Sequence, residues 1–239
     1  MNSAPGEPDP AHGRQLGRLT WEEVRDRRPV VVLPVGSCEQ HGPHLPLDTD
    51  TRIAEAVARA VVAADGRRVL APTLGITASG EHQDFPGTLS IGATVMEEAV
   101  VEIVRSADAF AGVLVVNGHG GNVTALRSAA ERIAVEGRRL GVLTCHVPGG
   151  EPHAGRGETS IILHLHPEVV RVEKVTPGVT TPWSEIGATA VREGFAAVTP
   201  NGVLGDPTRA SAADGARLFA DLVERVTAEA AAVTTGWLT

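Results

Sequence analysis

The chain has 239 residues, 42% hydrophobic and 21% charged, with a formal net charge of −8. Length and composition allow one sizeable core and exclude a chain too polar to fold. The acidic balance argues against nucleic acid, whose phosphates need a basic surface, and no apolar run approaches the ~18–20 residues of a membrane span.

Residues 1–17 are polar and rich in Pro, Gly and Asp. They bury almost nothing and read as a disordered tail. They also lack the basic and apolar regions of a signal peptide. Residues 18–239 read as one domain. Pro29–Val35 (PVVVLPV) is a continuous apolar run, the pattern of a strand buried on both faces. Thr51–Ala64 has apolar residues at helical spacing and ends at Gly66, a C-terminal stop signal. Val69–Ala71 reads as a short strand, Thr94–Ala109 as a helix and Gly112–Val116 as a buried strand. Asn122–Glu136 is predicted helical, Leu140–Cys145 a strand, and Glu158–His166 a helix halted by Pro167. Ala210–Val233 is a long amphipathic helix. Residues 171–205, with several Gly and Pro, carry no assignable period. The alternation predicts an α/β fold: a single layered α/β/α domain around a mostly parallel sheet.

Ligands of such sheets sit at the carboxyl ends of the strands. The first strand runs into Glu39, His41, His44, Asp48 and Asp50. The third ends in Asn117-Gly118-His119-Gly120-Gly121-Asn122, and the fourth leads to His153 and Glu158. Three strand ends therefore deliver imidazole and carboxylate groups to one edge. Mixed nitrogen and carboxylate donors suit Zn, Mn or Fe(II). Without a thiolate cluster a structural zinc ribbon is excluded. Four or five such ligands with a carboxylate able to bridge suit a metal pair. Such a pair acidifies water and polarises a carbonyl, so hydrolysis of an amide-like bond is the expected reaction.

Four motifs, in order, carry a resemblance. They are Val35–Asp50 (VGSCEQHGPHLPLDTD), Ser79–His82 with Phe85–Thr88, Asn117–Asn122, and His153–Gly155 with Glu158–Ser160. Together they resemble the creatininase family of metal-dependent amidohydrolases, and Gly202–Pro207 extends the likeness. The resemblance implies a creatininase-like fold and two divalent transition metals (Zn, Fe(II) or Mn). Glu39 and His119 would hold one metal, His41 the other, and Asp50 would bridge them. Creatininase continues its Gly-His motif with an aromatic residue and a metal-binding Glu; Gly120 and Gly121 stand here instead. Glu158 is the candidate for the missing ligand, with a part in catalysis. His153 takes the place of the family's general acid/base. Ser79, His82 and Trp183 are candidate substrate contacts.

Within the family the sequence is most similar to the creatininase-like peptidases of mycofactocin biosynthesis. The supporting details are Cys145 with Pro148–His153, Ser79–Gln83 and Gly202–Thr208. That likeness implies a substrate made as a ribosomal precursor peptide and modified at its C-terminal Val-Tyr, which the enzyme would release. The alternatives are a small-molecule amidohydrolase acting on creatinine, a formamide or a lactam, and a metal-binding scaffold in a biosynthetic complex. The family also implies a homo-oligomer, commonly a hexamer.

Plainer readings stand beside these. Glu158 can be a helix N-terminal carboxylate favoured by the macrodipole. Gly120-Gly121 can be a tight turn, which would also admit a ligand. His44 and His82 can be structural or touch substrate, while His164 and His166 fit helix-end or surface roles. A Cys38–His41 nucleophile is disfavoured, as is a serine hydrolase, for want of a Gly-x-Ser-x-Gly elbow. Arg156 and Arg192 are further guesses for peptide contacts. With two cysteines, Cys38 and Cys145, no disulfide framework is possible, and the cytoplasm is the expected compartment.

Overall fold

The computed structural model describes residues 12–237. Of the expected tail, residues 1–11 lie outside the described residues. Residues 12–17 are folded: two 3-10 turns span His12–Arg14 and Leu16–Arg18. Gln15 bridges to Leu70, and Leu16 packs on the core. Arg14 Nη2 also donates to the Ala63 carbonyl at 3.4 Å, so polar ties and one apolar contact together anchor the segment.

The sheet has four parallel strands in the order β2-β1-β3-β4. They are β1 (Val30–Val35), β2 (Arg68–Leu70), β3 (Gly112–Asn117) and β4 (Leu140–Thr144). β1 and β3 are buried at every position, as continuous apolar runs require. Pro34 in the central β1 is tolerated for a local reason. Its carbonyl accepts from Leu74, so its missing N–H falls on the β2 side, where β2 has already ended at Leu70.

Alternate strand residues feed two cores. Val30, Val32, Leu114, Val116 and Leu143 face α2 (Thr49–Ala63), α5 (Arg156–Leu165) and α7 (Ala212–Val233). Val31, Leu33, Val113 and Val115 face α3 (Gly92–Arg105) and α4 (Val123–Val135). The layered α/β/α architecture is therefore present. The unassigned region holds α6 (Trp183–Glu193), whose Ala190 forms a third small core with Phe195 and Leu204. An unforeseen α1 (Trp21–Arg27) starts with a capping box in which Thr20 and Glu23 satisfy each other's backbone N–H. No helix among the described residues is long and apolar enough to cross a membrane.

α5 and α7 meet at Gly215, where a Cβ would run into the carbonyl oxygen of Ser160. The neighbour is main chain and cannot rotate away. Gly215→Ala is expected to cost about 1–3 kcal/mol of stability, read as a lower urea midpoint with an unchanged slope. An unchanged midpoint would show that the two helices are not in close contact.

Candidate metal centre

The site sits at the carboxyl ends of β1, β3 and β4. β1 delivers Glu39 and His41. α2 brings Asp50 in its first turn, β3 leads into His119, and the loop before α5 carries His153. The seam between β1 and α2 is tight. At Gly36 a Cβ would strike the backbone of Thr51, and at Gly118 it would meet the carbonyl of Asp50 at 2.5 Å. These glycines let the α2 N-terminus press against two strand ends, which is how Asp50 reaches His41 and His119.

Glu39, His41, Asp50, His119 and His153 are all buried, and Glu158 is partly so. Asp50 lies between two rings: Oδ1 is 3.1 Å from His41 Nε2, and Oδ2 is 3.1 Å from His119 Nδ1. Ser37 Oγ donates to Oδ2 at 2.9 Å. The other nitrogen of each ring is held by main chain. His41 Nδ1 is 3.2 Å from the Glu39 carbonyl, and His119 Nε2 is 2.9 Å from that of Ala78. A carbonyl only accepts, so those nitrogens carry the protons in the neutral rings. A second proton on either ring would ion-pair with Asp50 through the facing nitrogen, and a cation would take that proton's place. His153 places Nε2 2.8 Å from the Gln40 carbonyl and 3.1 Å from the Gln40 carboxamide nitrogen, and turns Nδ1 toward Glu39 Oε1, 4.0 Å away. Rings anchored through one nitrogen, with the other turned to a carboxylate, are arranged as metal ligands are.

Glu39 gives the same indication. Both its oxygens are buried, and neither has a hydrogen-bond partner, although His119 Nε2 approaches one at 3.1 Å and His82 Nε2 the other at 3.4 Å. An ionised carboxylate buried without donors is costly unless a cation neutralises it. Suitably spaced donor atoms come from Glu39, Asp50 and His119; from His41, Asp50 and Glu158; and from Glu39, His41 and His153. Asp50 belongs to the first two sets. The residues present therefore fit a pair of borderline divalent cations.

The electrostatics express this crowding. Burial alone would lower the His41 pKa, but Asp50 beside it carries it up to about 9. Burial also opposes ionisation of Asp50, yet His41 and His119 hold it well below the usual carboxylate range. His119, facing Glu39 and Asp50, is raised despite burial. Burial pushes Glu158 up to about 7, with Asp50 adding to the rise and His41 opposing it. Its Oε2 accepts from the Ala154 N–H at 2.6 Å, so Glu158 is at once a helix N-terminal carboxylate and a member of the cluster. Burial, then His41 and His82, lower His153 well below its ordinary value.

Several supporting residues escaped the sequence reading. The Gln40 carboxamide accepts from Gly42 N–H at 2.9 Å, which orients its NH2 toward His82 Nδ1, also at 2.9 Å. Gly202 has φ +77°, and a Cβ there would collide with Gln40. Asn122 donates to the Gly36 carbonyl and accepts from Ala78 N–H, fixing the carbonyl that holds His119. Glu81 Oε1 lies 3.5 Å from His119 Nε2. Both oxygens of Glu151 accept backbone N–H groups, from Arg156 and Asp206. That ties the His153 loop to the 204–206 segment, where His153 and Leu204 pair as strands. Ala154 follows at φ +51°, an uncommon conformation for a non-glycine residue. Only the Asn-Gly-His-Gly-Gly-Asn pattern could have hinted at Asn122.

The suggested substrate contacts separate. His82 stacks on Phe195 with ring centroids 3.9 Å apart, and burial drives its pKa down to about 4. Ser79 is buried next to Ala78, its hydroxyl unpartnered. Trp183 is one ring farther out, 6.3 Å from Phe195. His44 is buried and bonded to Thr159 Oγ1 at 2.9 Å, a tie between the β1 loop and α5. His166 caps α5. Arg156 pairs with Asp214 and Arg192 with Glu193. Cys145 is buried, its thiol pushed up to about 12, and Cys38 lies against the Gly87 carbonyl. Neither arrangement suits a nucleophile. A cleft of about 390 Å³ opens beside His119 and Glu158, walled by Ile53, Val123, Val147 and Ile161.

Comparison with known proteins agrees with this geometry. The creatininase family profile, described as creatinine amidohydrolase, matches residues 17–230. The mycofactocin precursor peptide peptidase of Mycobacterium ulcerans (strain Agy99) is 48% identical over 94% of this chain and 93% of its own. A crystal structure of creatinine amidohydrolase superposes with a TM-score of 0.77 at 26% identity, covering 95% of this chain and 98% of that one. A manganese form of creatininase gives 0.76 at 25% identity, covering 95% and 99%. The chain belongs to the creatininase family.

Proposed function

We propose that this protein is a dinuclear-metal peptidase that hydrolyses an amide bond in the mycofactocin precursor peptide, releasing its modified C-terminal Val-Tyr unit. The observation that carries the chemistry is Asp50, whose two oxygens each face a ring nitrogen of a different histidine, each ring anchored on a main-chain carbonyl. The peptide substrate is supported by the relative at 48% identity, which shares nearly the whole chain, and by the apolar-walled cleft beside the cluster.

In this reading Glu39, Asp50 and His119 hold one cation, and His41, Asp50 and Glu158 the other. Zn, Fe(II) and Mn all match the donors. Paired cations supply a polarised carbonyl and water acidic enough to react near neutral pH. The chain's own residues do the rest. Main-chain carbonyls lock the three rings, so no ligand has to reorient. His153, anchored through Nε2 on the Gln40 carbonyl, receives a proton at Nδ1 from the attacking water and returns it to the leaving nitrogen. The alternative set with His153 as a ligand leaves this proton work without an obvious carrier. Gly120 lines the cleft without a side chain, and Cys145 and Ile161 form part of its wall. Ser79 and His82 line the buried side of the cluster as support, while Trp183 lies at its rim. The protein is further read as a cytoplasmic homo-oligomer, consistent with two free cysteines and exposed Leu89, Ile91 and Val95 near the site end of α3.

Mass spectrometry of the modified precursor incubated with metal-loaded protein should show loss of the C-terminal unit; turnover of creatinine with the precursor intact would favour the small-molecule reading. His153→Ala should retain its metals and lose on the order of 10²–10⁴ in kcat, whereas a scaffold would lose nothing. Elemental analysis should separate the sites. Glu158→Gln should keep about one cation per chain, and Asp50→Asn should lose most of both. Equal stoichiometry in the two variants would contradict a shared Asp50.

A further inference from the structure

The cleft beside the cluster does not end there. A second depression, of about 310 Å³, begins at the same loop, and Val147, Gly150, Glu151 and Gly157 border both. Its far side is formed by Arg156, Asp214, Arg217 and Leu218. The two adjoin across the shared residues and together describe a trough from Glu158 past the Gly149-Gly150 turn to the first turns of α7. A lactam or formamide would occupy the cleft alone. An extended chain would reach both.

We propose that the trough binds the segment of the peptide upstream of the scissile amide as an extended strand, and that Arg217 is a specificity-determining contact there. This rests on the peptidase reading. A released unit of two residues fits within the cleft, so only the upstream segment has the length to continue. The lining suits a main chain. Gly149 and Gly150 bring no side chains to the floor, and Val147 and Leu218 offer apolar contact. Glu151 is fully engaged by the Arg156 and Asp206 N–H groups and does not compete for the ligand. Arg156 is committed to Asp214. Arg217 is held more loosely. It is 62% exposed and shared between Asp214 and Asp221 at 3.6 Å each, and open surface pairs of this length contribute little. Peptide carbonyls or an acidic side chain can compete with these exposed pairs for its guanidinium donors.

The test uses the full chain and two probes. The first is a fluorescently labelled upstream fragment, the precursor without its C-terminal Val-Tyr, whose binding is read by anisotropy. The second is the modified precursor, intact or truncated to the residue before the cut. The fragment should bind, and Arg217→Glu should weaken it about tenfold. Arg25→Ala, on α1 and outside the trough lining, should leave binding unchanged. In turnover, Arg217→Glu should raise KM for the intact precursor, spare kcat, and leave the truncated substrate unaffected. A fragment that does not bind, or that binds wild type and Arg217→Glu equally, overturns the trough. Fragment binding without hydrolysis of either substrate would sink the peptidase reading and leave the trough standing.

Discussion

The structure turns on an electrostatic constraint: carboxylates and imidazole lone pairs are buried facing one another with nothing between them but the space for positive charge. Glu39 has no hydrogen-bond partner, and Asp50 is flanked by two rings each anchored on a main-chain carbonyl. Such an arrangement is costly by itself and favourable around cations. The rest of the fold can be read as the apparatus that enforces it. Parallel strands buried on both faces give a rigid base. Glycines at Gly36 and Gly118 let α2 approach, and the asparagine pair Asn117 and Asn122 holds the turn carrying His119.

The same constraint explains how the creatininase scaffold accommodates Gly120-Gly121. A Cβ at Gly121 would collide with His119 and with the Glu81 carboxylate. The volume beside His119 is thus taken by a side chain from the Gly80–His82 turn rather than from the start of α4. Glu158 reaches the cluster from α5 on the opposite side. The carboxylate count around the rings is kept up from different parts of the chain.

Much of this was legible in the sequence because the signals were local. PVVVLPV and GVLVV read as buried strands, and clusters of His, Glu and Asp directly after them read as a strand-end site. The layered fold followed from alternation. The edges were less legible. α1 is too short for apolar periodicity, and only the Thr20–Glu23 capping box marks it. α6 and its small core depend on Phe195 and Leu204 meeting His82 and His153, contacts between segments far apart in the chain. The ties of Gln40 and Glu151 to loops near residue 204 are of the same kind. The folded state of residues 12–17 was missed because Leu16 anchors a segment that is otherwise polar.

The carbonyl anchors of His41, His119 and His153 differ from side-chain anchors in one respect. A side-chain partner can be deleted by a single codon change, whereas a peptide carbonyl is present whatever residue bears it. Evolution can therefore vary the outer surroundings of this centre widely without losing ring orientation, provided the backbone path is kept. Selection should fall most heavily on the glycines and turns that shape that path, and less on the polar residues around the rings.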